Sequence, residues 1–235
     1  RIWLQTLLPP AITIGLYFVI FGNLVGRRIG EMGGFQYMEF IVPGLIMMAV
    51  IQNSYSNVVS SFFSHKFQHS VEELLVSPVP NYVILCGFIV GGMARGLAVG
   101  IIVTFISLLF ADLEIQNLFI TISVVLLTSI VFALAGFINA LFANSFDDIS
   151  IIPTFVLTPL IYLGGVFYSV ELLPPFWKFV SALNPIFYMV NTFRYGILGS
   201  SDVDITWAFF ILFVFIVILF TSCILLLRRG TGLRT

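Results

Sequence analysis

The sequence predicts an all-α membrane protein, six transmembrane helices with almost no soluble domain. Three observations predict it. Of 235 residues, 60% are hydrophobic and only 9% charged, against about 25% charged in an ordinary soluble domain. Mean hydropathy is +1.11. Apolar stretches of roughly 20 residues, long enough to cross a hydrocarbon core about 30 Å thick, recur along the whole chain. A soluble protein of this composition would have no polar skin to face water. The net charge of −1 says nothing about nucleic acid, and no basic cluster suggests such a partner, so none is expected. Membrane lipid is the surrounding partner that the composition demands.

The first span is predicted over about 2–21, with Pro9 and Pro10 inside it. The second runs over about 40–60 and the third over about 82–110, long enough to be tilted or broken. The fourth covers about 118–143. The fifth covers about 150–168 and carries Pro153 and Pro159, which membrane helices tolerate when neighbours satisfy the freed carbonyls. The sixth, about 205–227, is the cleanest. Together they make one transmembrane domain over 1–235. The chain starts at Arg1, so an upstream segment is expected outside it.

Between the fifth and sixth spans, about 172–199, the chain is apolar but cut by Pro174-Pro175 and Asn184-Pro185. Phe176–Leu183 would be only about 12 Å long as a helix, far short of a span. Trp177, Tyr188 and Tyr195 suit an interfacial belt. The segment is read as paired short helices dipping into one leaflet; the alternative is a loop lying flat on the headgroups.

Six spans put both termini on one side. Arg228, Arg229 and Arg234 after the last span favour a cytoplasmic tail. The bias over the whole chain is slight: Arg1 and Lys66 join those three inside, while Arg27, Arg28, Lys178 and Arg194 fall outside.

Several chemistries are excluded. Lys66 and Lys178 follow no G-x-x-x-x-G pattern, so no loop cradles ATP phosphates. Neither H-E-x-x-H nor G-x-S-x-G occurs. His65 and His69 share one loop and find no third metal ligand nearby. No catalytic residues and no metal site are therefore predicted, and the chain is not expected to be an enzyme. Cys86 and Cys223 both lie in apolar runs and read as small buried hydrophobes, not a disulfide.

Three features can carry function. In the loop 61–80, Ser70 and Glu73 form a capping box, and Pro78 stops the helix they start. A short helix is expected over about 71–77, outside the bilayer. Its Leu74, Leu75 and Val76 need an apolar surface, on this chain, on a partner or on the membrane. In the third span Gly92, Gly96 and Gly100 clear one helix face for close packing. Arg95 beside them either faces a polar path or snorkels to the headgroups. Gln52, Asn53, Ser54 and Asn57 in the second span and Asn139 in the fourth are either interhelical hydrogen-bond partners or the wall of a path. Asp147-Asp148 is placed to cap the fifth helix.

A series of short motifs, in order along nearly the whole chain, resembles the ABC-2 type permease family, the membrane-spanning subunits of a class of ABC exporters. The pieces are Phe40-Ile41-Val42-Pro43-Gly44-Leu45, Glu72-Glu73-Leu74-Leu75-Val76-Ser77-Pro78, Pro153-Thr154-Phe155-Val156-Leu157-Thr158-Pro159, Leu163-Gly164-Gly165-Val166-Phe167, Leu172-Leu173-Pro174-Pro175, Leu183-Asn184-Pro185 and Phe193-Arg194-Tyr195-Gly196. The resemblance implies the six-span, type V exporter-like fold of a bacterial inner membrane, with both termini cytoplasmic. It implies that the 71–77 helix couples to an ATPase, through Ser70, Glu72, Glu73, Leu74, Leu75 and Pro78. It implies that 172–199 forms paired re-entrant helices on the outer side. It also implies a homodimer working with two copies of a cytoplasmic ABC ATPase, which would bind the ATP and magnesium. An ion-coupled carrier or channel is the alternative. It would want acidic residues within the spans, yet all 11 Asp and Glu fall in loops or at span edges. A membrane scaffold is a third possibility.

Overall fold

The computed structural model describes residues 2–71, 78–230 and 232. The protein is an all-α bundle whose only strands among these residues are two short ones. Helix α1 (Ile2–Phe18) carries Pro9 and Pro10 and runs on as a π-helical stretch over Val19–Gly26. After one turn at Arg27–Ile29 come β1 (Glu31–Met32) and β2 (Phe35–Gln36), an antiparallel hairpin. Gly33 and Gly34 make its turn at φ of +62° and +84°, which only glycine adopts without strain. Apolar patterning carried no sign of this hairpin.

Helix α2 (Tyr37–Phe67) is the axle of the bundle. The Glu39 carboxylate accepts the Gln36 N–H at 3.3 Å at its start. Residues 40–51 are buried without a break, because α2 is sheathed by other helices on all sides. Around it stand α3 (Asn81–Ser107), α4 (Leu118–Phe142) and α8 (Ile205–Arg229). These three are long and apolar enough to cross a membrane. Leu7–Gly22 and Asp148–Leu163 are shorter apolar helical stretches.

The α2–α3 seam explains the glycine stripe. A Cβ on Gly96 would fall on the Ser54 hydroxyl, one on Gly92 on the Val58 side chain, and one on Gly100 would stand 2.7 Å from Val50 Cγ2. Backbones approach this closely only where no side chain intervenes. Phe62, Phe63, Phe88 and Phe137 fill one end of the bundle, with Phe62 and Phe137 rings 4.3 Å apart.

Helix α5 (Asp148–Leu163) is built in three pieces, with a π-helical middle over Pro153–Leu157. Thr158 Oγ1 donates to the Pro153 carbonyl at 2.9 Å, covering an acceptor that the widened turn releases. The helix stops at Leu163, short of the expected Tyr168. Gly165 at φ +75° turns the chain, and Val166 folds back against Gly44 of α2. A 3₁₀ turn (Val170–Leu172) then leads to α6 (Pro175–Ala182) and α7 (Pro185–Leu198). Each begins with proline at its first helical position, where the missing N–H costs nothing.

Both cysteines are free. Cys223 is buried in the core, but Cys86 is exposed on the outer surface of α3, contrary to expectation. An apolar run does not separate packing against protein from packing against lipid.

Candidate functional site

A cavity of about 350 Å³ lies between α1, α2 and α3. Gln52, Asn53 and Ser56 of α2 and Arg95 of α3 supply its polar wall; Pro9, Pro10, Ile14 and Met48 supply its apolar wall. Pro9, Thr13 and Ser56 are exposed, so the cavity opens along the flank of α1. Residues 52 and 56 share one face of α2 because they are one helical turn apart. Asn53 Nδ2 donates to the Ala49 carbonyl at 2.9 Å, which commits that amide to its own helix. Arg95 stands near the middle of the 27-residue α3, about 20 Å from either end at 1.5 Å per residue. Its Nε is buried and has no hydrogen-bond partner among the described residues. Arginine at the middle of a membrane helix costs about 2.5–3.5 kcal/mol on insertion scales. Arg95 lines the cavity from this mid-helix position.

Asn139, also expected on a path, lies elsewhere. It is buried, and its Nδ2 donates to the Ile149 carbonyl at 3.2 Å, tying α4 to the first turn of α5. Its amide donor is spent on a neighbouring helix start.

A second polar group anchors the loop after α2. Lys66 Nζ donates to the carbonyls of Leu141 (2.8 Å) and Ala143 (2.6 Å), at the C-terminus of α4. A cation there meets the negative end of the helix. Burial pulls the Lys66 ammonium below its usual pKa, against the smaller attraction of Asp148. Asp148 Oδ2 accepts the N–H groups of Asn144 (2.9 Å) and Ser145 (3.0 Å), while its own N–H donates to Ser145 Oγ. The hydrogen bonds from Asn144 and Ser145, with Lys66 adding less, hold its carboxyl below the usual carboxylate range. Asp148 thus organises the turn before α5, and Asp147 at the N-cap makes no side-chain cap.

The capping partner expected for Ser70, Glu73, lies outside the described residues. The Ser70 hydroxyl donates to the His65 carbonyl at 3.1 Å and pairs with His65 Nδ1 at 3.1 Å. His69 at φ +58° turns the chain sharply enough to bring Ser70 back onto α2. Val71 is buried beside Phe62 and Phe63. Pro78 is exposed. Glu72, Glu73, Leu74 and Leu75 lie outside the described residues.

The segment after α5 is locked by Arg194. Sequence counting placed this residue on the outer side of the membrane; within the fold it is only 2% exposed. Nη2 donates to the Gly165 carbonyl at 2.7 Å, Nε to the Phe40 carbonyl at 3.3 Å and Nη1 to Asn191 Oδ1 at 3.2 Å. The guanidinium also stacks 3.9 Å from the Phe40 ring centre. One side chain therefore joins α7, the start of α2 and the turn ending α5. Asn184 complements it: Nδ2 donates to the Leu160 carbonyl at 2.6 Å and Oδ1 accepts the Ile186 N–H at 3.0 Å. Trp177 and Phe176 on α6 remain exposed. The signal for Arg194 was Phe193-Arg194-Tyr195 inside an apolar helix, but nothing local names its partners.

A family description for ABC-2 type transporters matches residues 1–198. The chain belongs to the ABC-2 type transporter family. This ABC-2 transporter is 59% identical to the Inner membrane transport permease YadH of Escherichia coli (strain K12), over all of this chain and 92% of that protein. It is also similar to Nodulation protein J of Neorhizobium galegae, 25% identical over 91% of this chain and 82% of that protein. Nodulation protein J of Rhizobium meliloti (strain 1021) is 23% identical over 91% of this chain and 82% of that protein. The ABC-2 match ends at the last residue of α7 and leaves out α8.

Proposed function

We propose that this chain is the membrane-spanning permease subunit of an ATP-driven exporter in a bacterial inner membrane. Helices α1, α2, α3, α4, α5 and α8 are the six spans, both termini are cytoplasmic, and α6 and α7 are paired re-entrant helices on the outer side. Two copies form the path, because the helices of one copy enclose little volume. Two copies of a separate cytoplasmic ATPase bind ATP and magnesium and supply the energy; the chain itself is not an enzyme. The single observation that carries this is the ABC-2 match over residues 1–198, joined to 59% identity with an inner membrane permease. The sequence has no phosphate-binding loop, so hydrolysis falls to a partner.

The 71–77 helix docks on the ATPase, with Leu74 and Leu75 as its apolar anchor and Glu72 and Glu73 meeting basic groups. Lys66 and Asp148 fix the neighbouring ends of α2, α4 and α5, so motion at the loop is passed to three helices at once. Gln52, Asn53 and Arg95 line the path.

The test is Leu74→Asp with Leu75→Asp. Co-purification with the ATPase and transport-coupled ATP hydrolysis should both fall at least tenfold. Unaltered association and hydrolysis would remove the coupling role. Vesicles holding both subunits should transport only with ATP; transport by this chain alone would favour an ion-coupled carrier.

A further inference from the structure

We propose that the cavity between α1, α2 and α3 binds the anionic head of an amphipathic molecule, a phosphate or carboxylate carried on an apolar chain. This names a cargo class and rests on the permease function proposed above. The Arg95 guanidinium supplies the positive charge, and its Nε is a buried donor with no partner among the described residues. Among the described residues no Asp or Glu lines the cavity, so that charge is not cancelled by them. Arg95 is half-buried and faces no acidic side chain among the described lining residues, so a bound anion brings the negative charge that the cavity lacks.

The rest of the lining fits an anion joined to an apolar tail. The Gln52 amide adds donors beside the charge and Ser56 adds a hydroxyl at the rim, whereas the Asn53 amide is already spent on Ala49. Pro10, Ile14 and Met48 give no polar atoms but a surface for hydrocarbon. The volume of about 350 Å³ lies at the small end of ligand sites, with room for a head group and the first part of its tail. The opening along α1 lets the remainder lie against that helix, whose exposed Leu8, Ile12 and Leu16 form a stripe at helical spacing. A cationic or neutral head would leave the arginine unpaired, so the site selects by charge.

The experiment is direct binding to the purified full chain in phosphatidylcholine nanodiscs, read by isothermal titration. The probes are dodecyl phosphate, dodecyl maltoside, dodecyltrimethylammonium and inorganic phosphate. Dodecyl phosphate should bind at least tenfold tighter than the other three. Arg95→Gln should remove that preference, and Arg95→Lys should keep most of it. Gln52→Glu supplies an internal counter-ion, so it should keep the fold while cutting dodecyl phosphate binding at least tenfold. Equal binding of the three amphiphiles by the wild type would overturn the proposal, as would undiminished binding by a folded Gln52→Glu chain. Inorganic phosphate binding as tightly as dodecyl phosphate would refute the amphiphile and leave a free-anion site. Loss of dodecyl phosphate binding in phosphatidylglycerol nanodiscs would support the anionic head and name a resident lipid as its source. Binding is measured without ATP or an ATPase. Failure of export would therefore leave it standing, and intact export with no binding would refute it alone.

Discussion

Replacing Arg194 with methionine should lower stability by about 2–4 kcal/mol. Methionine keeps an apolar stem against Phe40 but removes every polar contact of the guanidinium. Three hydrogen bonds from a charged donor are lost, at 2.7, 3.2 and 3.3 Å. Each is worth about 1.5–3 kcal/mol, with the two longer ones at the lower end. The stacking on Phe40 adds about 1–2 kcal/mol. Against this, removing a buried cation returns several kcal/mol of desolvation. The carbonyls of Phe40 and Gly165 are left without their partner, which keeps the balance unfavourable. For a chain of this size 1 kcal/mol moves the midpoint about 2–4 °C, so the fall should be about 5–15 °C. The buried Cys223 thiol reports unfolding to a thiol-reactive dye in a Cys86→Ser background. A midpoint within 2 °C of the parent would refute the three-way lock. Arg194→Lys should lose nearly as much, because an ammonium cannot reach three acceptors that point in different directions.

The remaining predictions concern packing, coupling and topology. Gly96→Ala should cost about 1–3 kcal/mol through its collision with Ser54, whereas Gly87→Ala, with nothing within 4 Å, should gain up to about 1 kcal/mol; equal midpoints would refute the seam. Lys66→Met should orphan the Leu141 and Ala143 carbonyls, lower stability by about 1–3 kcal/mol and reduce ATP-driven transport more than ATPase binding. Unchanged transport would separate Lys66 from coupling. Arg95→Ala should abolish transport while two copies still assemble, and normal transport would return Arg95 to a passive role. Single cysteines through Phe176–Leu183 should react with an impermeant thiol reagent from the outer side only; labelling from the cytoplasm would mean a further span.

Much of the fold was legible because a bilayer imposes a simple rule: a crossing helix is a long apolar run. Composition alone located α3, α4 and α8 to within a few residues. It was weaker for α2, whose Gln52–Asn57 stretch dilutes the apolar signal although no other helix buries as many residues. Cover from neighbouring helices, not hydropathy, lets a polar stretch sit there. Proline and glycine marked the pieces of α5, α6 and α7, since their effects on the backbone are local. The early stop of α5 was missed because Gly165 turns the chain only with Val166 seated on Gly44, a contact more than a hundred residues away.

The candidate site was less legible. Gln52, Asn53, Arg95 and Asn139 are all polar residues in apolar helices, and in the sequence they look alike. Three of them line one cavity, while Asn139 turns to the Ile149 carbonyl at the start of α5. The turn at His69 brings the Ser70 hydroxyl onto His65, a contact that no local motif announces. Arg194 looked like one more outer charge.

What the sequence by itself determined is the class of protein: an apolar helical bundle bearing the ordered motifs of the ABC-2 family. Hydropathy and motif chemistry are properties of short stretches, so they survive without coordinates. Only the tertiary structure decided where each buried polar group spends its hydrogen bonds. Arg194 meets three acceptors and is structural, whereas Arg95 keeps a buried donor without a partner among the described residues. That difference depends on which helices pack against each arginine, and neither residue's neighbours in the chain specify it.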